Sequence, residues 1–157
     1  MARFDTILFD SGFVTGSTRY DDHYQGDEKQ NRIVLTITPE KAKHSPVKMI
    51  VDTGAPWCVL NPELAEIWDL TSAAEDEAQI TNLNIRGEVR WGRLKRAEII
   101  LHAMNGEDLT VEATFFVPFM DPDEVWNYPN FLGLSGFLDR FRFAVDASEN
   151  AFYFWRF

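Results

Sequence analysis

A single cysteine, Cys58, leaves no internal disulfide to be formed. It sits between Trp57 and Val59 in an apolar run, where a free thiol reads as a small core residue rather than a nucleophile. Histidine is scarce as well: His23, His44 and His102 have no ligand spacing, so no metal is expected. No nucleophile elbow, phosphate loop or dinucleotide fingerprint is present, so no cofactor is expected either. No apolar run approaches the length of a membrane-spanning helix, and the first residues lack a basic-then-apolar signal pattern, which makes the cytoplasm the expected location. Positive charge is also short. With 15 Lys and Arg against 25 Asp and Glu, the net charge of −10 disfavours nucleic acid and anionic membrane surfaces as partners.

What is present suits one globular domain: 157 residues, 45% of them hydrophobic. Residues 1–30 are the least regular part. Ile7-Leu8-Phe9 is the one strand-like piece among turn-rich groups such as Asp10-Ser11-Gly12 and Gly16-Ser17-Thr18, and the segment reads as an N-terminal arm on a domain of residues 31–157. Order is expected from Arg32 onward. Ile33, Leu35 and Ile37 alternate with Val34, Thr36 and Thr38 as a strand, and Val47 begins an antiparallel return across the solvated loop Pro39 to Pro46.

That return strand ends in the most informative stretch, Met49-Ile50-Val51-Asp52-Thr53-Gly54-Ala55-Pro56-Trp57-Cys58-Val59-Leu60. A carboxylate between two apolar strands is costly to desolvate, so Asp52 is expected to be either well hydrogen-bonded or kept for chemistry. Thr53 supplies a hydroxyl, and Gly54 leaves room for another backbone or a ligand. The bland reading is an ordinary Asp-Thr-Gly turn. Asn61-Pro62 then starts a short amphipathic helix with Leu64, Ile67 and Trp68 at helical spacing, Trp68 as core.

From Gln79 strands return. Arg86, Gly87, Glu88, Val89, Arg90, Trp91 and Gly92 are expected at a mobile hairpin tip, because two glycines lie between strand-like runs. Asn105-Gly106 is a hairpin dipeptide joining Ala97–Met104 to Leu109–Val117. Arg86, Arg90, Arg93, Lys95 and Arg96 cluster in an otherwise acidic chain; beside a cleft they would favour acidic or extended peptides. The loop Pro118 to Pro129 carries Phe119, Trp126 and Tyr128, expected to pin it to the body of the domain.

The pattern of three apolar residues, Asp52-Thr53-Gly54-Ala55 and a further apolar run resembles the active-site stretch of retropepsin-like, single-domain aspartic proteases. Phe131-Leu132-Gly133 occupies the place where, in such enzymes, two apolar residues and a glycine pass against the catalytic loop. Residues Gly136 to Phe141 resemble the short helix that follows, and Phe143–Asp146 with Ala151–Phe154 the final hairpin. The resemblance covers Arg32 to Phe154 and implies an all-β fold, a closed acid-protease barrel with a flap hairpin and one or two short helices. It also implies an aspartic endopeptidase in which Asp52 is catalytic and Thr53, Gly54 and Ala55 support the loop. The Arg86–Gly92 hairpin would be the substrate-covering flap. One Asp-Thr-Gly per chain further implies a homodimer acting on a peptide or protein substrate, without metal or cofactor.

Two features depart from the family pattern: Pro56 replaces a small polar residue common in retroviral relatives, and residues 1–30 have no counterpart. Phe9-Asp10-Ser11-Gly12 resembles the second motif of two-lobed aspartic proteases, but the stretch between Asp10 and Asp52 is far shorter than the lobe that separates such motifs. The competing function class is a peptide-binding or dimerisation module that keeps the fold without turnover.

Overall fold

A computed structural model describes residues 8–12, 14–26, 28–71 and 79–157. The chain is mainly β. Eleven strands are formed among the described residues: β1 (Gly16–Arg19), β2 (Val34–Pro39), β3 (Val47–Val51), β4 (Cys58–Val59), β5 (Ile80–Ile85), β6 (Glu88–Leu101), β7 (Asn105–Gly106), β8 (Leu109–Pro118), β9 (Phe131–Leu132), β10 (Arg142–Asp146) and β11 (Ala151–Trp155). The expected hairpin of β2 and β3 is present, with Val34 opposite Ile50 and Ile37 opposite Val47. So is the terminal hairpin, with Arg142 opposite Trp155 and Asp146 opposite Ala151.

The larger sheet runs β2-β3-β9-β4-β8-β6-β5, and the pairing of Thr38 with Ile100 and Pro39 with Ile99 brings β2 back to β6. Six strands therefore form a ring, with β5 outside it. Leu35, Ile37, Met49, Cys58, Leu60, Ile99, Leu101, Phe115 and Leu132 fill the interior, and Trp68 packs its edge on Phe115 with ring centroids 5.5 Å apart. Burial pushes the Cys58 thiol up to about 12, so it stays protonated and inert. The helix Pro62–Ile67 begins where Asn61-Pro62 places it: the Asn61 side chain accepts the Glu63 N–H at 2.8 Å, and Pro62 gives up no helical donor. Between Gly136 and Phe141 the chain makes only a 3-10 turn, Leu138–Arg140.

Three expectations need correction. The segment read as an arm contributes β1, which pairs with β11 from Gly16–Phe154 to Arg19–Ala151 and so completes a four-stranded sheet β10-β11-β1-β7. Val14 and Tyr20 are buried beside it, and Asp21 bridges to Val34. Glycine and hydroxyl residues hide this strand from a propensity argument. Gly16 is required, because a Cβ there would collide with the Glu107 carbonyl and the Phe154 ring. Of Ile7-Leu8-Phe9, Ile7 lies outside the described residues and Leu8 and Phe9 are helical, not strand. Finally, Asn105-Gly106 does not form the two-residue turn: it is itself the short strand β7 on β1, and β6 and β8 meet at Leu101–Leu109 across a longer connection closed by Asp108.

Deleting residues 1–30 should therefore destabilise the protein severely. It removes Val14 and Tyr20, whose burial is worth about 1.5–3 kcal/mol for a large apolar side chain, and uncovers one edge of β11. Urea unfolding of the truncated chain measures this; wild-type stability would return the segment to an appendage.

Candidate active site

Strand β3 delivers Asp52 and β9 fixes it. The two strands pair in parallel, Ile50 with Phe131 and Val51 with Leu132, while Val59 of β4 pairs antiparallel with Phe131 on the other side. The ladder continues past both strands: Asp52 N–H donates to Leu132 O at 3.0 Å, then Leu134 N–H to Ala55 O and Ser135 N–H to Pro56 O, each at 2.8 Å. The Asp52 loop and the Phe131-Leu132-Gly133 stretch are thus one backbone unit. Gly133 lies at its tightest point, where a Cβ would collide with the carbonyl of Trp57 and crowd that of Ala55. Any side chain there would force the two backbones apart.

Inside the loop, Asp52 Oδ1 accepts the Gly54 N–H at 2.9 Å, and Ala55 N–H donates to Asp52 O at 3.1 Å. A carboxylate closed off between buried strands was the expectation. The structure places Asp52 only partly buried, with Thr53 and Gly54 exposed and Ala55 half-buried, because the loop leaves the sheet at its end. The loop presents a single carboxylate, Asp52, at the surface. Asp10, by contrast, is exposed on a helical turn closed by Gly12 N–H to Phe9 O at 3.0 Å, and does not follow a strand.

The expected flap is a hairpin of β5 and β6 turning at Arg86-Gly87, with Ile85 opposite Glu88. Both turn residues have positive φ, +53° and +91°, the type I′ pattern, and Asn84 Oδ1 accepts the Gly87 N–H at 2.9 Å. Leu83 and Ile85 point inward onto Val34, Ile50, Val59, Phe116 and Phe131, whereas Val89 (60% exposed) and Trp91 (56% exposed) face outward. Gly92 is not at the tip. It sits in mid-strand opposite Pro118, pressed against the Phe116 ring and the Val117 carbonyl, so its smallness serves packing rather than mobility.

An ionic clasp holds this hairpin just behind its turn. Arg90 pairs with Glu124 and with Glu88, the latter at 3.0 Å, and Tyr128 donates its hydroxyl to Glu88 Oε2 at 2.6 Å. The guanidinium also lies over the Tyr128 ring, 5.8 Å from its centroid. The loop from Pro118 to Pro129 is therefore tied to the hairpin, not simply to the body of the domain. The basic run splits accordingly: Arg90 enters the clasp, Arg93 stacks on Phe119, Lys95 is buried, and Arg86 stands on the turn.

Under the turn lies a cleft of about 470 Å³ lined by, among others, Tyr24, Gln30, Arg32, Ile50, Arg86 and Asn130. Asn130 is its fixed point. Its carbonyl accepts Ile50 N–H at 2.9 Å, its Oδ1 accepts Asn61 N–H at 2.7 Å, and its Nδ2 donates to the Tyr24 hydroxyl at 3.2 Å. Sequence reasoning missed Tyr24, Gln30, Asn130 and the clasp. Asn130 alone carried a signal, as the residue directly before Phe131-Leu132-Gly133.

No family model matches the sequence, and no curated protein does. By structure, the chain is similar to a retropepsin-like aspartic protease from Rickettsia conorii, known from its crystal structure. The TM-score is 0.52 at 16% identity, over 88% of this chain and 98% of that one. The likeness establishes a retropepsin-like fold.

Two tests follow. Gly133→Val should cost at least about 1–3 kcal/mol in urea unfolding, the range for overpacking; a neutral result would mean the two loops do not meet. For the clasp, the Tyr128 hydroxyl and Arg90 hold Glu88 below the usual carboxylate range, and Arg90 and the Asp121 N–H do the same for Glu124. A depressed carboxylate stabilises the fold above its unfolded pKa, about 4.3, and that stability is lost as pH falls through the lower folded value. Hydrogen exchange at Glu88–Arg90, corrected for intrinsic rate, should stay slow from neutrality down to about pH 4 and quicken below it. In Arg90→Leu it should be fast already at neutral pH, and equal protection in the two proteins there would show that the clasp holds nothing.

Proposed function

We propose that the chain is an aspartic endopeptidase with an acid-protease barrel, which hydrolyses peptide bonds with a water activated between Asp52 and its symmetry mate in a homodimer. The observation that supports this most is the locking of the Asp52-Thr53-Gly54 loop to Phe131-Leu132-Gly133 by the Asp52 N–H to Leu132 O bond, with Gly133 admitting the approach. That arrangement holds an acid at the partly exposed end of a strand, in a loop whose next two residues face solvent.

The chemistry needs two carboxylates facing one water. One accepts a proton from the water as its oxygen attacks the scissile carbonyl carbon; the other, protonated, donates to the carbonyl oxygen. The tetrahedral diol then collapses, the C–N bond breaks, and the amine leaves with a proton returned through the pair. Two carboxyl groups so close cannot both ionise, and the aspartic-protease dyad is the standard instance of that effect. A two-fold axis through the exposed loop brings two copies of Asp52 together. Thr53 of each chain would lock the loops across the axis, Gly54 and Ala55 would leave space for substrate backbone, and the Arg86–Gly92 hairpin would close over it.

Replacing Asp52 by Asn should lower peptide cleavage by about 10²–10⁴-fold or more while leaving the fold intact, since it removes the acid-base pair alone. Wild-type activity should peak in the acid to mildly acid range, where the pair holds one proton. Cleavage that survives Asp52→Asn, or a rate rising steadily beyond neutral pH, would refute the mechanism. Peptide binding by wild-type protein with no cleavage at any pH would identify a silent binding module.

A further inference from the structure

We propose that the cleft beneath the flap turn is a subsite for an acidic substrate side chain, with Arg32 and Arg86 as its specificity determinants; this rests on the peptidase reading of Asp52. Two guanidinium groups line the cleft and no carboxylate does. No ion pair among the described residues engages either arginine. Three amides of the wall are already committed: Gln30 accepts from Tyr24 N–H and donates to Gln25 O, Asn130 joins Asn61 to Tyr24, and Asn61 caps the helix. Much of the wall is thus preset, and its charged recognition falls to the two arginines, whose planar forks match a carboxylate. In a chain of net charge −10, an acid-free pair of cations lining a cleft can hold an acidic peptide rather than repel it.

Arg86 carries a second sign of function. It occupies the first central position of a type I′ turn at φ +53°, where Asn, Asp or Gly is favoured and a long side chain is strained. The strain puts a cation at the lip of the cleft. Ile50, on its wall, lies two residues before Asp52, about 7 Å along the strand. An occupant of the cleft therefore belongs to a substrate residue next to, or one removed from, the scissile bond.

The test uses a set of octapeptides with Glu, Gln, Leu or Lys walked through the four central positions. Binding to Asp52→Asn protein is measured near neutral pH, where peptide carboxylates are ionised, and cleavage by wild-type protein is followed separately. At one position Glu should bind about fivefold or more tighter than Gln, the upper range for a solvent-exposed ion pair. The advantage should shrink with added salt. Arg32→Glu/Arg86→Glu, both at exposed positions, should fold, stay in the wild-type oligomeric state and turn the preference toward Lys.

Equal binding of Glu and Gln at every position, no binding of any peptide, or a Glu preference that survives charge reversal would overturn the proposal. So would loss of the dimer in the charge-reversed protein with peptide preference unchanged, since the arginines would then serve the subunit contact. Absence of cleavage by wild-type protein, with the Glu preference intact in binding, would overturn the peptidase reading and leave the acidic subsite standing.

Discussion

The rest of the structure depends on one close approach: the backbone after Leu132 runs against the backbone after Asp52 with no side chain between them. Gly133 makes this possible, and the bonds from Asp52 N–H to Leu132 O and from Leu134 N–H to Ala55 O make it rigid. Because β9 is only two residues long and lies between β3 and β4, it depends on both neighbours for its place. Separate those backbones and the sheet splits at its centre, the Asp52 loop loses its anchor, and Phe131 leaves the apolar layer beneath the hairpin.

From that fixed loop the functional surface is built outward in two tiers. The nearer is Asp52 itself, held in orientation by the Gly54 N–H and left at the surface. In the proposed mechanism a carboxylate so placed is half of a shared-proton pair, with the other half supplied by a second copy of the chain. The outer tier is the hairpin, whose inner face rests on Ile50 and Phe131, and whose strand just behind the turn is held by Arg90 between Glu88 and Glu124. The apolar face and the ionic clasp respond to different conditions. Acid that leaves the apolar packing intact weakens the clasp.

Much of this was legible in the residues themselves. Asp52-Thr53-Gly54 between apolar runs reads alone as an ordinary turn, but together with Phe131-Leu132-Gly133 far along the chain it resembled the two motifs that meet in retropepsin-like proteins, and that resemblance pointed to the backbone meeting and the fold. Alternation in Leu35 and Ile37 and the Asn61-Pro62 start were equally readable, since both rest on local periodicity and capping. What could not be read was set by distant partners. Gly16–Arg19 has little strand propensity beyond Thr18 and becomes β1 because β11 offers Phe152 and Phe154 to cover. Gly92 looked like a hinge because nothing local reveals Phe116 lying against it. Two partners of Arg90, Glu124 and Tyr128, come from an irregular loop, and those of Asn130 from Tyr24, Ile50 and Asn61 on three separate segments.

The central claim is that two chains each contribute one Asp52 to a single site, and subunit mixing tests it most directly. Hold wild-type protein constant, add an equal amount of Asp52→Asn, and allow exchange verified by a mass label. Random pairing places about half of the wild-type chains in dimers with one carboxylate, so activity should fall to about half. Unchanged activity after verified exchange would mean that each chain carries a complete site, and the homodimeric mechanism would be wrong.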